Sequence, residues 1–346
     1  MIGDMLHNRY RIVDKLGHGG YSTVWLARDT TIKRYVALKV NTADAHSREA
    51  TILMTLSKSP SSLSPPAHGR SLIPVILGEF EVQGPNGAHA CCTTSPAQCN
   101  LREISFSHIH LNNIMIKLPS NFDNLPIKEL YERYGEPITR CDGRPLTPNI
   151  PAQAVKPSFL GKYAETMTLA DVRPLLSDFG EAFAPASEVR LGQECHTPPA
   201  FRSPEARFEP QKPLTYSSDI WSLATAIWEV MGMKAIFSIE MVTDDEIVAQ
   251  HIDVLGPMPR EWWLRWEGRG IFFTEDGYST DAYLNTKVEG CGRGVEEEER
   301  AAFLDLIRRM LLFRPEARPT AEDVLQSEWM VKWALPDYEQ SLNISG

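Results

Sequence analysis

Two short β-prone runs, residues 10–16 and 23–27, are separated by Gly17-His18-Gly19-Gly20. A third run, residues 34–40, carries Lys39 inside Val36-Ala37-Leu38-Lys39-Val40. Runs of this kind turn alternate side chains to opposite faces, so three of them with short connections predict an antiparallel meander. Glycines at a strand turn let backbone N–H groups approach an oxyanion that a side chain would block. Lys39, fifteen residues beyond Val24, supplies a charge for the same anion. A plain glycine hairpin would explain the turn alone, and solvation would explain a lone strand lysine. Their order constrains the chain.

The next segments extend that pattern. Residues 47–57 place Ile52, Leu53 and Leu56 after a capping-type start and predict a short helix, on which Glu49 can hold Lys39 by an ion pair. Residues 59–66 are Ser/Pro-rich loop. Residues 72–82 and 88–94 predict two further strands, joined at Gly84-Pro85-Asn86-Gly87. Five strands and one helix make a small lobe over residues 1–97. The remainder, residues 98–346, is helical in character. Ile127, Leu130, Tyr131 and Tyr134 repeat at helical spacing within residues 124–134, ahead of a proline-rich surface segment at 137–157. Residues 219–231 are apolar nearly all round, which predicts a helix buried on most sides. Further helices are expected at 244–255, 296–312 and 320–326, the last capped by Thr320 with Glu322 as early acidic charge. The class is α+β.

Composition narrows the choice of partners. A net charge of -10 argues against broad nucleic-acid or anionic-membrane binding and leaves room for basic peptide substrates. The six cysteines, Cys91, Cys92, Cys99, Cys141, Cys195 and Cys291, show no paired metal-ligand spacing, so free thiols in a reducing compartment are expected. Residues 1–8 have no signal-peptide pattern and no apolar run approaches a membrane span. An intracellular protein, cytoplasmic or nuclear, is the expectation.

Asp178-Phe179-Gly180 follows the apolar run 172–176, so the aspartate emerges at a strand end, where a metal-bound triphosphate needs a hard oxygen ligand. Asn113, at the start of an Ile-Met-Ile strand, offers a second oxygen, although a turn asparagine is the plain alternative. Downstream stand Arg202-Ser203-Pro204-Glu205, Ser217-Ser218-Asp219-Ile220-Trp221 and Arg314-Pro315-Glu316-Ala317-Arg318-Pro319-Thr320. In this order the motifs resemble those of the eukaryotic protein kinases. Gly17 to Asp29, with Ser22 at the third glycine and Trp25 after Val24, together with the Arg202–Glu205 segment, look most like the SR protein kinase branch and its fungal relatives. The resemblance spans nearly the whole chain.

It implies a two-lobed kinase-like fold, ATP and magnesium as cofactors, and serine or threonine hydroxyls of Arg/Ser-rich proteins as substrates. It carries no implication of direct nucleic-acid or membrane binding. By the same resemblance Leu16, Gly17, Gly19, Val24, Ala37, Lys39 and Glu49 form the nucleotide site, with Val24 and Ala37 sandwiching the adenine and Thr94 to Ala97 as the hinge. Asn113 and Asp178 hold the metal. Glu205 and Arg318 form a structural ion pair, Asp219 braces the catalytic loop, and residues 178–205 form the activation segment.

The chain also departs from the family. Kinases place their catalytic aspartate five residues before the metal-binding asparagine, and His108 occupies that position here; His110 stands at the usual lysine position. From Pro96 to His108 there are only about a dozen residues, where the kinase fold places roughly fifty, including two helices. One of those helices covers the 219–231 helix, so its loss should bare that face and leave the product destabilised or in need of a covering partner. Two functions stay open: a serine/threonine kinase with impaired chemistry, and a pseudokinase or nucleotide-binding interaction module from a truncated or spliced product.

Overall fold

The structure, a computed structural model, describes residues 1–45, 48–58, 68–101, 113–140, 154–162, 164–238, 242–274 and 296–344. The chain divides into two compact units: Met1–Ile104 with Leu111–Ala182, and Ser105–His110 with Phe183–Gly346.

The first unit is built on a six-stranded antiparallel sheet of β1 (Met5–Leu6), β2 (Tyr10–His18), β3 (Ser22–Asp29), β4 (Arg34–Asn41), β5 (Gly78–Gly84) and β6 (Gly87–Thr94). Its order is β1-β2-β3-β4-β6-β5, so the expected meander holds through β4 and then crosses to β6. The expected start of β5 at residue 72 is too early, because His68–Leu72 forms a 3-10 turn instead. Helix α1 (Glu49–Lys58) follows β4. Alternation along β4 sends Val36 and Leu38 to a core with Tyr10, Ile12, Trp25, Ala27 and Cys91. Tyr35, Ala37 and Lys39 take the opposite face.

That opposite face is where the chain departs from expectation. Helix α2 (Ile127–Tyr134) and the 3-10 turn Ser120–Asn124 cover its Tyr35 end, burying Phe122, Leu130 and Leu160 against Val13, Leu26 and Tyr35. Asp123 accepts from the Tyr35 amide at 2.8 Å and from Arg34 at 2.7 Å, while the Tyr131 hydroxyl donates to the Val13 carbonyl at 2.7 Å. The boundary between units therefore falls after Ala182, not at 97 as the sequence led us to place it. Apolar residues on a sheet face need a cover, and here the insert supplies it. Residues 141–153, the middle of the proline-rich segment, lie outside the described residues.

A second sheet completes the first unit, with β11 (Pro174–Leu176), β8 (Ile114–Lys117) and β7 (Ala97–Asn100) in that order. A two-strand ribbon joins β9 (Thr139–Arg140) to β10 (Ala154–Val155).

The second unit holds α3 (Pro204–Phe208), α4 (Tyr216–Gly232), α5 (Asp244–Leu255), α6 (Arg260–Arg265), α7 (Arg269–Phe272), α8 (Glu297–Met310), α9 (Ala321–Leu325) and α10 (Leu335–Ile344) among its described residues. Its main core packs Trp221, Ala224 and Trp228 of α4 against Phe303, Leu306 and Met310 of α8. A second cluster gathers Trp262, Trp266 and Phe208. Capping boxes start α5 at Thr243 and α9 at Thr320, the second closed by Asp323, with Glu322 an acid of the first turn as expected. Helix α4 is less enclosed than its composition predicts. Ile220, Trp221, Ala224 and Trp228 are buried, but Leu223 and Val230 are 42% and 46% exposed. The flank that the sequence led us to expect bare is open. Cys91, Cys92, Cys99 and Cys195 are free thiols, as expected; Cys141 and Cys291 lie outside the described residues.

Candidate functional site

Lys39 is placed by cross-strand register, opposite Val24 on β3 and Cys92 on β6. Ala37 lies two residues earlier on the same face and opposite Thr94, so Val24, Ala37 and Lys39 share one surface as the resemblance requires. Leu16 is partly buried and packs toward the insert cluster. At the turn, Gly19 donates to the Ser22 carbonyl at 2.9 Å. A Cβ on Gly17, Gly19 or Gly20 would meet nothing within 4 Å, and none of the three has a positive φ. Their lack of side chains leaves open space above the backbone, which is the cradle an anion needs.

Glu49 opens α1, where the positive end of the helix dipole favours an acid. Its two oxygens have separate tasks: Oε2 accepts from Lys39 Nζ at 2.5 Å, and Oε1 accepts from the Phe179 amide at 3.1 Å. One carboxylate thus ties the strand lysine to the backbone that carries Asp178. The bond to Phe179 could not be read from sequence, because its donor is a main-chain group. Asp178 approaches Lys39 at 3.6 Å and is 62% exposed. It sits at φ 63° and ψ 60°, a left-handed conformation that aspartate tolerates better than most residues.

Electrostatics keep this cluster in charged form. Burial by itself lowers the Lys39 pKa, but the charge and hydrogen bond of Glu49, with Asp178 behind them, hold it above its ordinary value. Cys92 has the opposite balance: burial and then the Glu49 charge push its thiol up to about 12, so it stays neutral beside the lysine. Neutral Cys92 leaves the ion pair undisturbed.

Asn113 enters through the small sheet. Its carbonyl accepts from the Ser177 amide at 2.8 Å, which docks the start of β8 beside the turn into Asp178. Its amide side chain is exposed and has no partner among the described residues. Asp178 and Asn113 are hard oxygen donors with free lone pairs, and magnesium takes only one or two protein ligands beside phosphate and water. Accordingly, no group of three metal-ligating side chains occurs among the described residues. The residues present fit magnesium-ATP. His108 and His110 lie outside the described residues.

In the second unit Arg318 donates to Glu205 through two bonds, 2.8 and 2.7 Å, in the interior, as the resemblance implied. Asp219 is exposed, with no bonding partner among the described residues. The segment 102–112 that it was expected to brace is not among them.

Residues 167–330 match the protein kinase domain family. A serine/threonine protein kinase of Aspergillus fumigatus is 26% identical over 359 residues, covering 95% of this chain and 86% of that one. Serine/threonine-protein kinase spk-1 of Caenorhabditis elegans is 36% identical over 118 residues, 33% of this chain and 12% of its own. SRSF protein kinase 3 of Mus musculus is 40% identical over 91 residues, 26% of this chain and 16% of its own. A crystal structure of a kinase domain aligns with a TM-score of 0.58 at 18% identity, covering 95% of this chain and 97% of that one. The fold is that of a protein kinase. Its relatives are serine/threonine protein kinases.

Proposed function

We propose that this chain is a magnesium-ATP-binding serine/threonine kinase of the SR-protein-kinase type, acting slowly on hydroxyls of arginine-rich proteins. The observation that carries it is Glu49 bridging Lys39 and the Phe179 amide, an arrangement that holds the phosphate-facing lysine and the metal-facing aspartate in one register. When bound, magnesium-ATP supplies the phosphoryl group and the cation that neutralises its charge. Lys39 grips phosphate oxygens, the glycine turn admits them, and Asp178 with Asn113 holds the metal. Val24 and Ala37 enclose the base. The SR-type assignment rests on residues 17–29 and 202–205 and on the similarity to SRSF protein kinase 3.

The histidine at 108 limits the chemistry. A general base typically contributes about 10²- to 10⁴-fold, and imidazole lacks the negative charge with which a carboxylate orients the hydroxyl. This substitution favours a second reading, a pseudokinase that binds nucleotide as a structural switch. Radiolabel transfer from ATP to an Arg-Ser peptide separates the two. Transfer that Lys39→Ala abolishes supports the enzyme, and clear ATP binding with no transfer defeats it in favour of the pseudokinase.

A further inference from the structure

The second unit contains a small apolar cavity that none of the residues assigned above lines. Trp228 of α4, Ile236 beyond it, Leu255 at the end of α5, Leu304 and Ile307 on α8, and Leu311 just past its end bound about 80 Å³. On α8 and its C-cap the lining follows the helical repeat, with Leu304, Ile307, Arg308 and Leu311 at i, i+3, i+4 and i+7. An apolar cavity of about 150 Å³ is what admits a benzene, so this one suits a single branched aliphatic side chain and no long acyl chain.

Two cations stand at its rim. Lys234 and Arg308 both line the cavity and both are exposed. Among the described residues neither has an ion-pair or hydrogen-bonding partner, whereas Arg309, next along the chain, reaches Asp305 at 3.8 Å. Each follows or closes a helix C-terminus, where a cation is favoured. That accounts for their charge, but not for both lying on one apolar opening. Among the described residues the nearby acids do not neutralise them. Asp305 is turned to Arg309, Asp253 has a partner of its own, and Glu297, Glu298 and Glu299 bond Arg300, Lys332 and Trp329. Glu299 also lies about 13 Å along the helix axis from Arg308, beyond a Debye length of about 8 Å.

We propose that this cavity binds an acidic peptide segment of a partner protein, with one leucine-sized side chain in the cavity and flanking carboxylates on Lys234 and Arg308. The chain's net charge of -10 repels acidic partners in general, so a local pair of unpaired cations sets where one can land. The proposal does not depend on nucleotide binding.

Fluorescence anisotropy with the full chain tests it. The probe is a fluorescein-labelled peptide of aspartate and glutamate around one central leucine. The controls replace that leucine by alanine, or every acid by its amide. Saturable binding that weakens by about tenfold or more with either control, and with Lys234→Glu and Arg308→Glu combined, is expected. Both substituted residues are exposed, and an unchanged far-UV circular dichroism spectrum shows that the variant folds. No saturable binding, equal binding of the controls, or binding indifferent to the charge reversal overturns the proposal. Binding to phosphatidylserine vesicles but not to the peptide also overturns it, since the cations would then serve a lipid surface.

Discussion

Glu205 meets Arg318 through two bonds inside the second unit, whereas Glu49 meets Lys39 through a single bond at the edge of an open site in the first. The Arg318 side chain is 0% exposed and has further acceptors in the carbonyls of Leu312, Ser217 and Phe313, and its guanidinium lies 5.1 Å from the centre of the Trp221 ring. Ser218 adds a bond to Glu205. All three Arg318 guanidinium nitrogens and both Glu205 oxygens are committed. Lys39 is 21% exposed, has a second carboxylate only at 3.6 Å, and keeps donors free for a ligand. A buried charge tolerates no unpaired hydrogen, while a binding lysine must have some to offer. The same pair of charges thus serves as a lock in one unit and as a grip in the other.

Breaking the lock should have the largest effect. Arg318→Ala strands the buried Glu205 and is expected to cost about 3–5 kcal/mol, read by urea unfolding with ATP absent. A loss below about 1 kcal/mol would mean that water already reaches the pair.

Acid tests the same interior through His251, which lies against Trp221 and Phe237. Burial, with the charges of Arg207 and Arg318 behind it, holds its pKa down to about 3 from the ordinary 6.5. Between those values the unfolded chain takes up a proton that the native chain refuses. Stability is therefore complete above pH 6.5 and falls on acidification toward pH 3, by up to about 1.4 kcal/mol per pH unit from this group. His251→Leu should flatten that limb of the pH–stability curve.

The grip should behave in the reverse manner. Lys39→Ala is expected to cost about 1 kcal/mol or less of intrinsic stability, because the pair is partly solvated. It should instead remove the thermal stabilisation by magnesium-ATP, about 2.7 kcal/mol for the parent chain at one hundred times Kd. Because its folded pKa is raised, the lysine's contribution is complete below the ordinary 10.5 and is lost only as pH climbs through the folded value. A Lys39→Ala chain that still gains stability from the nucleotide would place the ligand elsewhere. Smallest of all, Asp219→Asn should change stability by no more than about 0.5 kcal/mol, since the carboxylate has no bond to lose among the described residues and desolvation already holds its pKa above the ordinary value. A larger loss would reveal a partner in the segment it was expected to brace.

Much of this could be read from residue order. The α5 span of 244–255 was legible because Thr243 and Glu246 box its start and Gly256 ends it. Lys39 and Glu49 were legible through the order of motifs that resembles the kinases, since either residue alone has a plain solvated reading. The cover formed by α2 was not, although its helical spacing was. Periodicity says which face of a helix is apolar, and nothing about which surface receives it. The open flank of α4 was anticipated from a missing segment rather than from its own residues, since its all-round apolar pattern pointed the other way.

By itself, then, the sequence determined the order of strands and helices, the charges that meet at Lys39, and the absence of a carboxylate at position 108. Those depend on contacts close in the chain or on the identity of single residues. Tertiary structure decided that residues 98–101 and 113–182 join the first unit, that Glu49 also holds the Phe179 amide, and that Lys234 and Arg308 share the mouth of one cavity. Each joins groups distant in sequence, and such contacts are chosen by which apolar faces find a cover, a competition that no local pattern records.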